Sequence, residues 1–220
     1  MSKLPVLALG LLLAAAVPSP SPSPVSQLRT IATVRATPYC TSLANHFNGA
    51  VAPMLANDRT LDNVSVQLDD VNQVFNKPDY QIRYADERAK LVNYVGNLQR
   101  NLPYMQQQIN GLRLGERLTK DADQAKAIHM LAEKLQLAYN KQYQLSQDLL
   151  GVVHAMMDFR PGRDANSYEN QLAEQNMPVE MRDVKSYLKF NGQRDVIADA
   201  EDKSADMALN IASKYCGVNP

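Results

Sequence analysis

Residues 119–159, TKDADQAKAIHMLAEKLQLAYNKQYQLSQDLLGVVHAMMDF, decide the fold. Apolar side chains recur there at Ile128, Leu131, Leu135, Ala138, Leu145, Leu149, Val152, Met156 and Phe159. The steps alternate between three and four, with one polar interruption at Gln142, which is the spacing of a single stripe along a helix. Ala132, Tyr139, Tyr143, Leu150 and Met157 form a second strip beside the first. The combined face is wider than the seam of a two-stranded zipper, so the spacing predicts burial among several helices. Thr119 is a cap candidate, followed by Asp121 and Asp123 near the positive end of the helix dipole. Arg160-Pro161-Gly162 ends the pattern, because proline cannot supply the amide that a continuing helix needs. Such a helix would run about 60 Å without a break.

The same spacing extends outward on both sides. Cys40, Leu43, Phe47, Val51 and Met54 mark a helix over about 38–57, with a kink expected near Pro53. Leu61, Val64, Leu68, Val71 and Phe75 mark a second over 60–76, ended by Lys77-Pro78-Asp79. A third spans about 79–113 on Tyr84, Leu91, Val95, Leu98, Leu102, Met105, Ile109 and Leu112, and keeps phase across Pro103 as a kinked helix does. Past Gly162 the patterns shorten to 164–176 through Tyr168 and Leu172. Another begins at Pro178, carries Met181, Val184 and Leu188, and ends at Asn191-Gly192. The last helix is expected over 193–216, with Ile197, Ala200, Ser204, Met207 and Ile211 inward and Gly217 as its stop. No strand alternation persists anywhere. The reading is all-α: a single domain over 38–217, folded as an antiparallel bundle of about five or six helices with long central helices.

The beginning of the chain reads differently. Residues 1–16 have a charged start at Lys3, a short greasy run from Leu4 to Ala16 and small residues at Ala14-Ala15-Ala16, the pattern of a secretory signal peptide. The run is too short to favour a membrane-spanning helix. Residues 17–37 open with alternating Pro and Ser from Val17 to Pro24, which favours an extended tether over a packed core. Export to the periplasm or the extracellular space gives the two cysteines a meaning. Cys40 opens the first helical pattern and Cys216 closes the last, and a lone pair in an oxidising compartment bonds. That disulfide would tie the bundle end to end, bringing the start of the first helix beside the end of the last.

Composition narrows the function. Lys plus Arg and Asp plus Glu both number 23. Lys3, Arg29 and Arg35 precede the bundle, leaving it 20 basic against 23 acidic residues, a balance that argues against nucleic-acid binding. His46, His129 and His154 are the only histidines. The latter two are about 37 Å apart along one helix and cannot share a metal. No zinc-protease, haem-attachment, nucleophile-elbow or phosphate-loop motif occurs. The expectation is therefore no metal, no cofactor and no catalytic residue.

Asp195, Asp199, Asp202 and Asp206 fall within one narrow arc of the last helix. This row is the candidate acidic interaction face, weighed against an ordinary solvated helix face offset by Arg194 and Lys203. The functional expectation is an exported, non-enzymatic helical module with a binding or structural role in the cell envelope or extracellular space. It would meet a protein partner, or a second copy of itself, through a helical face or projecting helix tips. The alternative is a bundle that binds a small ligand, a metal or haem, because such cores host cofactors and Met54, Met105, Met156 and Met207 fall on helix stripes.

Overall fold

A computed structural model describes residues 28–32, 35–73, 80–158 and 187–218. The expected secretory signal and most of the expected tether lie outside these residues, as do Phe75, Phe159 and the short helices expected over 164–176 and from Pro178. Four helices occur among the described residues: α1 (Pro38–Gln73), α2 (Tyr80–Gly115), α3 (Ala122–Asp158) and α4 (Tyr187–Cys216). A 3-10 turn, Glu116–Leu118, joins α2 to α3. No strand occurs among the described residues.

Each helix packs on the next, and α1 also packs on α4, so the four close into a ring in chain order. Cross-helix pairs fix the directions. His46 meets Gln108 and Asn57 meets Asn101, so α1 and α2 are antiparallel. Gln106 with Gln136 and Arg113 with Glu133 give the same result for α2 and α3. Gln142 with Glu201 and Asp148 with Gln193 give it for α3 and α4. The topology is up-down-up-down.

The bundle has four helices among the described residues, not the expected five or six. Two helices expected over 38–57 and 60–76 are one continuous α1, and α4 begins at Tyr187 and runs through Asn191-Gly192. In both places polar residues that resemble a helix end lie within a helix. Asn57 is fully buried and bonded to side chains of two other helices, so its polarity serves the interior and not a turn. Pro53 lies inside α1 and Pro103 inside α2. Proline removes one backbone hydrogen bond and crowds the carbonyl four residues back. In α1 that carbonyl belongs to Gly49, in a segment where α1 approaches α2 closely.

The apolar stripes are buried where expected. Ile128, Leu131, Leu135, Ala138, Leu145, Leu149 and Val152 of α3 are all inside, and so are Leu91 to Leu112 of the α2 stripe. Tyr143, expected in the second strip of α3, is exposed and stacks on Tyr139 at 6.2 Å between ring centroids. Met207 is only partly buried, at the edge of the core.

Cys40 and Cys216 are bonded, with their Cα atoms 5.6 Å apart. The same end is closed by hydrogen bonds. The Arg35 amide donates to the Cys216 carbonyl, and the Tyr39 hydroxyl donates to the Gln124 carbonyl. Burial, with the nearby Tyr215 and Asp121, pushes the Tyr39 phenol up to about 12. Gly217 turns the chain out of α4 at φ 72°, a conformation that costs glycine no side-chain clash. Ahead of α1, Ile31 is buried against the core, and Asn48 accepts from its amide and donates to its carbonyl.

Candidate functional site

The interior divides into two apolar clusters. One surrounds Leu43, Phe47, Ile109, Leu135 and Ile211 near the disulfide, and the other surrounds Leu61, Val64, Leu91, Leu149 and Ile197. A polar layer lies between them, with one side chain from every helix. Asn101 of α2 donates to Asn57 of α1 at 2.8 Å, and Asn57 donates to Gln142 of α3 at 2.7 Å. Gln142 donates in turn to Glu201 of α4 at 2.5 Å. Asn57, Gln142 and Glu201 are essentially inaccessible to water. Asn57 and Gln142 each both donate and accept inside the layer, as buried amides must to offset their desolvation.

The layer ends on acids. Glu201 of α4 is fully buried there, and Asp58 of α1 is half-buried. Burial is the largest influence on Asp58 and pushes its pKa up to about 6. Arg194 pulls the other way, and Asp62 and Asp202 push it up further. Arg194 also pairs directly with Asp62 across α4 and α1.

A second feature lies on the surface between α3 and α4. It is an open groove of about 460 Å³ with Ala127, Met207 and Ile211 for its apolar part. Lys134, Lys203, Asp206, Asn210, Lys214 and Tyr215 complete the lining. Lys203 bonds Asp199 at 2.7 Å along α4. The Lys214 ammonium sits 4.8 Å from the centre of the Tyr215 ring. A hydrogen bond to Tyr215 and that residue's charge, with smaller help from Asp123 and Asp121, hold the Lys214 pKa above the ordinary lysine value.

The four aspartates of the acidic row of α4 have different surroundings. Asp195, Asp199 and Asp206 are exposed, while Asp202 is half-buried and acts on Asp58. Asp199 is joined to Lys203, and Asp206 lies in the groove among lysines. The face is therefore of mixed charge. The histidines lie apart. His46 bonds Gln108 at 3.0 Å inside the α1–α2 seam, His129 bonds Glu116 at 2.9 Å, and His154 is exposed. Among the described residues no three His, Cys, Asp or Glu side chains are grouped to hold a metal ion, and no helix is long and apolar enough to cross a membrane.

The polar layer was not singled out by the sequence patterns. Its one visible trace is Gln142, the polar step in an otherwise apolar stripe. Asn57, Asn101 and Glu201 are partners separated by tens of residues, and no local pattern joins them. No protein-family model matches the chain, and no curated protein or solved structure gives a match.

Proposed function

We propose that the protein is an exported, non-enzymatic helical module that binds a protein partner in the cell envelope or extracellular space through the face formed by α3 and α4. The groove between those helices carries this reading. It offers an apolar strip, Ala127, Met207 and Ile211, bordered by lysines and by Asp206. Apolar contact at the centre with charged residues at the rim is the usual arrangement of a protein-binding surface. The lysines Lys134, Lys203 and Lys214 outnumber the acid in the lining and favour an acidic helical segment as the partner's contact. The disulfide and the absence of a membrane-crossing helix among the described residues are compatible with an extracytoplasmic place.

The test is site-specific photo-cross-linking of the full chain in its own source. A probe at Met207 should yield one defined adduct with an acidic segment, identified by mass spectrometry. Lys134→Glu combined with Lys214→Glu should remove that adduct. A probe at Tyr104, which is exposed on α2, serves as the control. Equal background at both positions would end this reading.

A second reading rests on the size of the same groove. A volume of about 460 Å³ lies within the range of small-molecule sites. A small anionic amphiphile would use the same lysines and apolar strip. Native mass spectrometry of protein from its own source would separate the two: a mass lost on denaturation favours the small ligand.

A further inference from the structure

We infer that the disulfide end of the bundle, where α1 meets α4, is a binding cleft for an apolar peptide, and that the chain's own residues 28–32 are its resident and displaceable ligand. The partner this cleft fits is a peptide segment with a branched aliphatic residue whose backbone amide and carbonyl are both free of helix and sheet bonds. The inference does not depend on the groove between α3 and α4.

Asn48 supplies the backbone contact. Its Oδ1 accepts from the Ile31 amide at 2.8 Å, and its Nδ2 donates to the Ile31 carbonyl at 2.9 Å. One side-chain amide thus satisfies both main-chain groups of a single residue, which reads the backbone whatever the sequence. Asparagine is a poor choice for the interior of a helix, and at this position of α1 it has a use outside the helix.

The side chain of Ile31 supplies the apolar contact. It is 3% exposed, within the cluster of Cys40, Leu43, Phe47 and Cys216, and Leu28 packs against that cluster. Helix α4 gives the cluster mainly short side chains, Ala200, Ala205, Ala208 and Ala212, and the volume they leave must be filled from elsewhere. Further along, the Arg35 amide donates to the Cys216 carbonyl at 3.0 Å. The occupant therefore runs from the end of α4 to Asn48 on α1. Main-chain bonds with a pocket for one side chain are the general means by which proteins bind unfolded peptides.

The occupant is held more lightly than the helices are. Residues 28–32 belong to no helix or strand, and Arg29, Thr30 and Ala32 are exposed. Only Ile31 enters the interior fully. The helices around the cleft are joined by Cys40–Cys216 and by their own apolar faces. Residues 28–32 can therefore leave by a local opening that keeps the bundle folded.

Fluorescence anisotropy of a labelled synthetic peptide of residues 26–34, added to the full oxidised chain, tests the cleft. Ile31→Asp in the protein puts a charge where the cluster takes an aliphatic group, and so frees the cleft. That chain should bind the peptide saturably. The natural chain should bind at least about tenfold more weakly, because its own segment competes at an effective concentration on the order of millimolar. A peptide that itself carries Ile31→Asp should not bind. Asn48→Ala in the freed chain should weaken binding roughly tenfold through the loss of two hydrogen bonds. Hydrogen exchange of the Ile31 amide in the natural chain needs no variant and decides the matter where Ile31→Asp fails to fold. Unlabelled peptide at several times the millimolar effective concentration should speed that exchange and leave Leu43–Val51 unchanged. No binding to a folded Ile31→Asp chain, equal binding to the freed and natural chains, equal binding of the two peptides, undiminished binding with Asn48→Ala, or an Ile31 amide that excess peptide leaves unchanged would overturn the inference.

Discussion

Adding one methyl group at Gly111 tests how closely α1 and α2 approach. A helix-interior Gly→Ala change normally stabilises by about 1 kcal/mol, because alanine loses less backbone freedom on folding. At Gly111 the new Cβ would stand 2.3 Å from Cε1, 2.4 Å from Nδ1 and 2.7 Å from Cγ of His46. The whole edge of the ring is in the way, so His46 must leave its rotamer and its 3.0 Å bond to Gln108. Overpacking of this kind costs roughly 1–3 kcal/mol, and a lost hydrogen bond about 1 kcal/mol more. After subtracting the propensity gain, Gly111→Ala should destabilise by about 1–3 kcal/mol. Gly96 on the same helix has nothing within 4 Å of its would-be Cβ. Gly96→Ala should therefore stabilise by about 0.5–1 kcal/mol. Urea denaturation of the two variants, with His46→Ala and the His46→Ala/Gly111→Ala double variant completing a cycle, measures the difference. The alanine at 46 should recover most of the loss at 111. A Gly111→Ala protein as stable as Gly96→Ala would refute the close approach.

Three further outcomes are expected. Cys40 and Cys216 are 176 positions apart, and the loop-entropy model gives about 5 kcal/mol for a bridge of that span; Cys216→Ser should lower stability by roughly 2–5 kcal/mol, and an unchanged melting point on reduction would count against the bond's role. Leu135→Ala should cost about 2–5 kcal/mol as a fully buried truncation, whereas Leu137→Ala, on an exposed position of the same helix, should stay within about 0.5 kcal/mol; equal costs would mean that the stripe is misplaced. The raised pKa of Asp58 means that the natural chain should lose up to about 3 kcal/mol relative to Asp58→Asn as pH rises from about 4 to about 6; denaturation midpoints that run parallel across that window would show that Asp58 carries no such linkage.

Much of the bundle was legible in the chain because helical burial is periodic. The stripe of α3 could be read residue by residue, and its positions from Ile128 to Val152 are the ones that the structure encloses. The pairing of Cys40 with Cys216 was expected because they are the only two cysteines of a chain read as exported, and the bond is present. The helix count was less legible. Asn57-Asp58 and Asn191-Gly192 have the composition of helix ends, yet α1 and α4 pass through both. Composition reports polarity, and polarity alone does not distinguish a residue turned to water from one turned to a buried amide.

The chain alone determined the all-helical class, the apolar faces and the two cysteines of the disulfide, because each is written in spacing along one helix or in residue type. Tertiary structure decided the order of helices around the ring, the polar layer through Asn57, Asn101, Gln142 and Glu201, and the division of the acidic row into Asp202 beside Asp58 and Asp206 in the groove. These depend on which residues of different helices meet at the same height. That register is set by the packing of all four faces at once, and no single helix contains it.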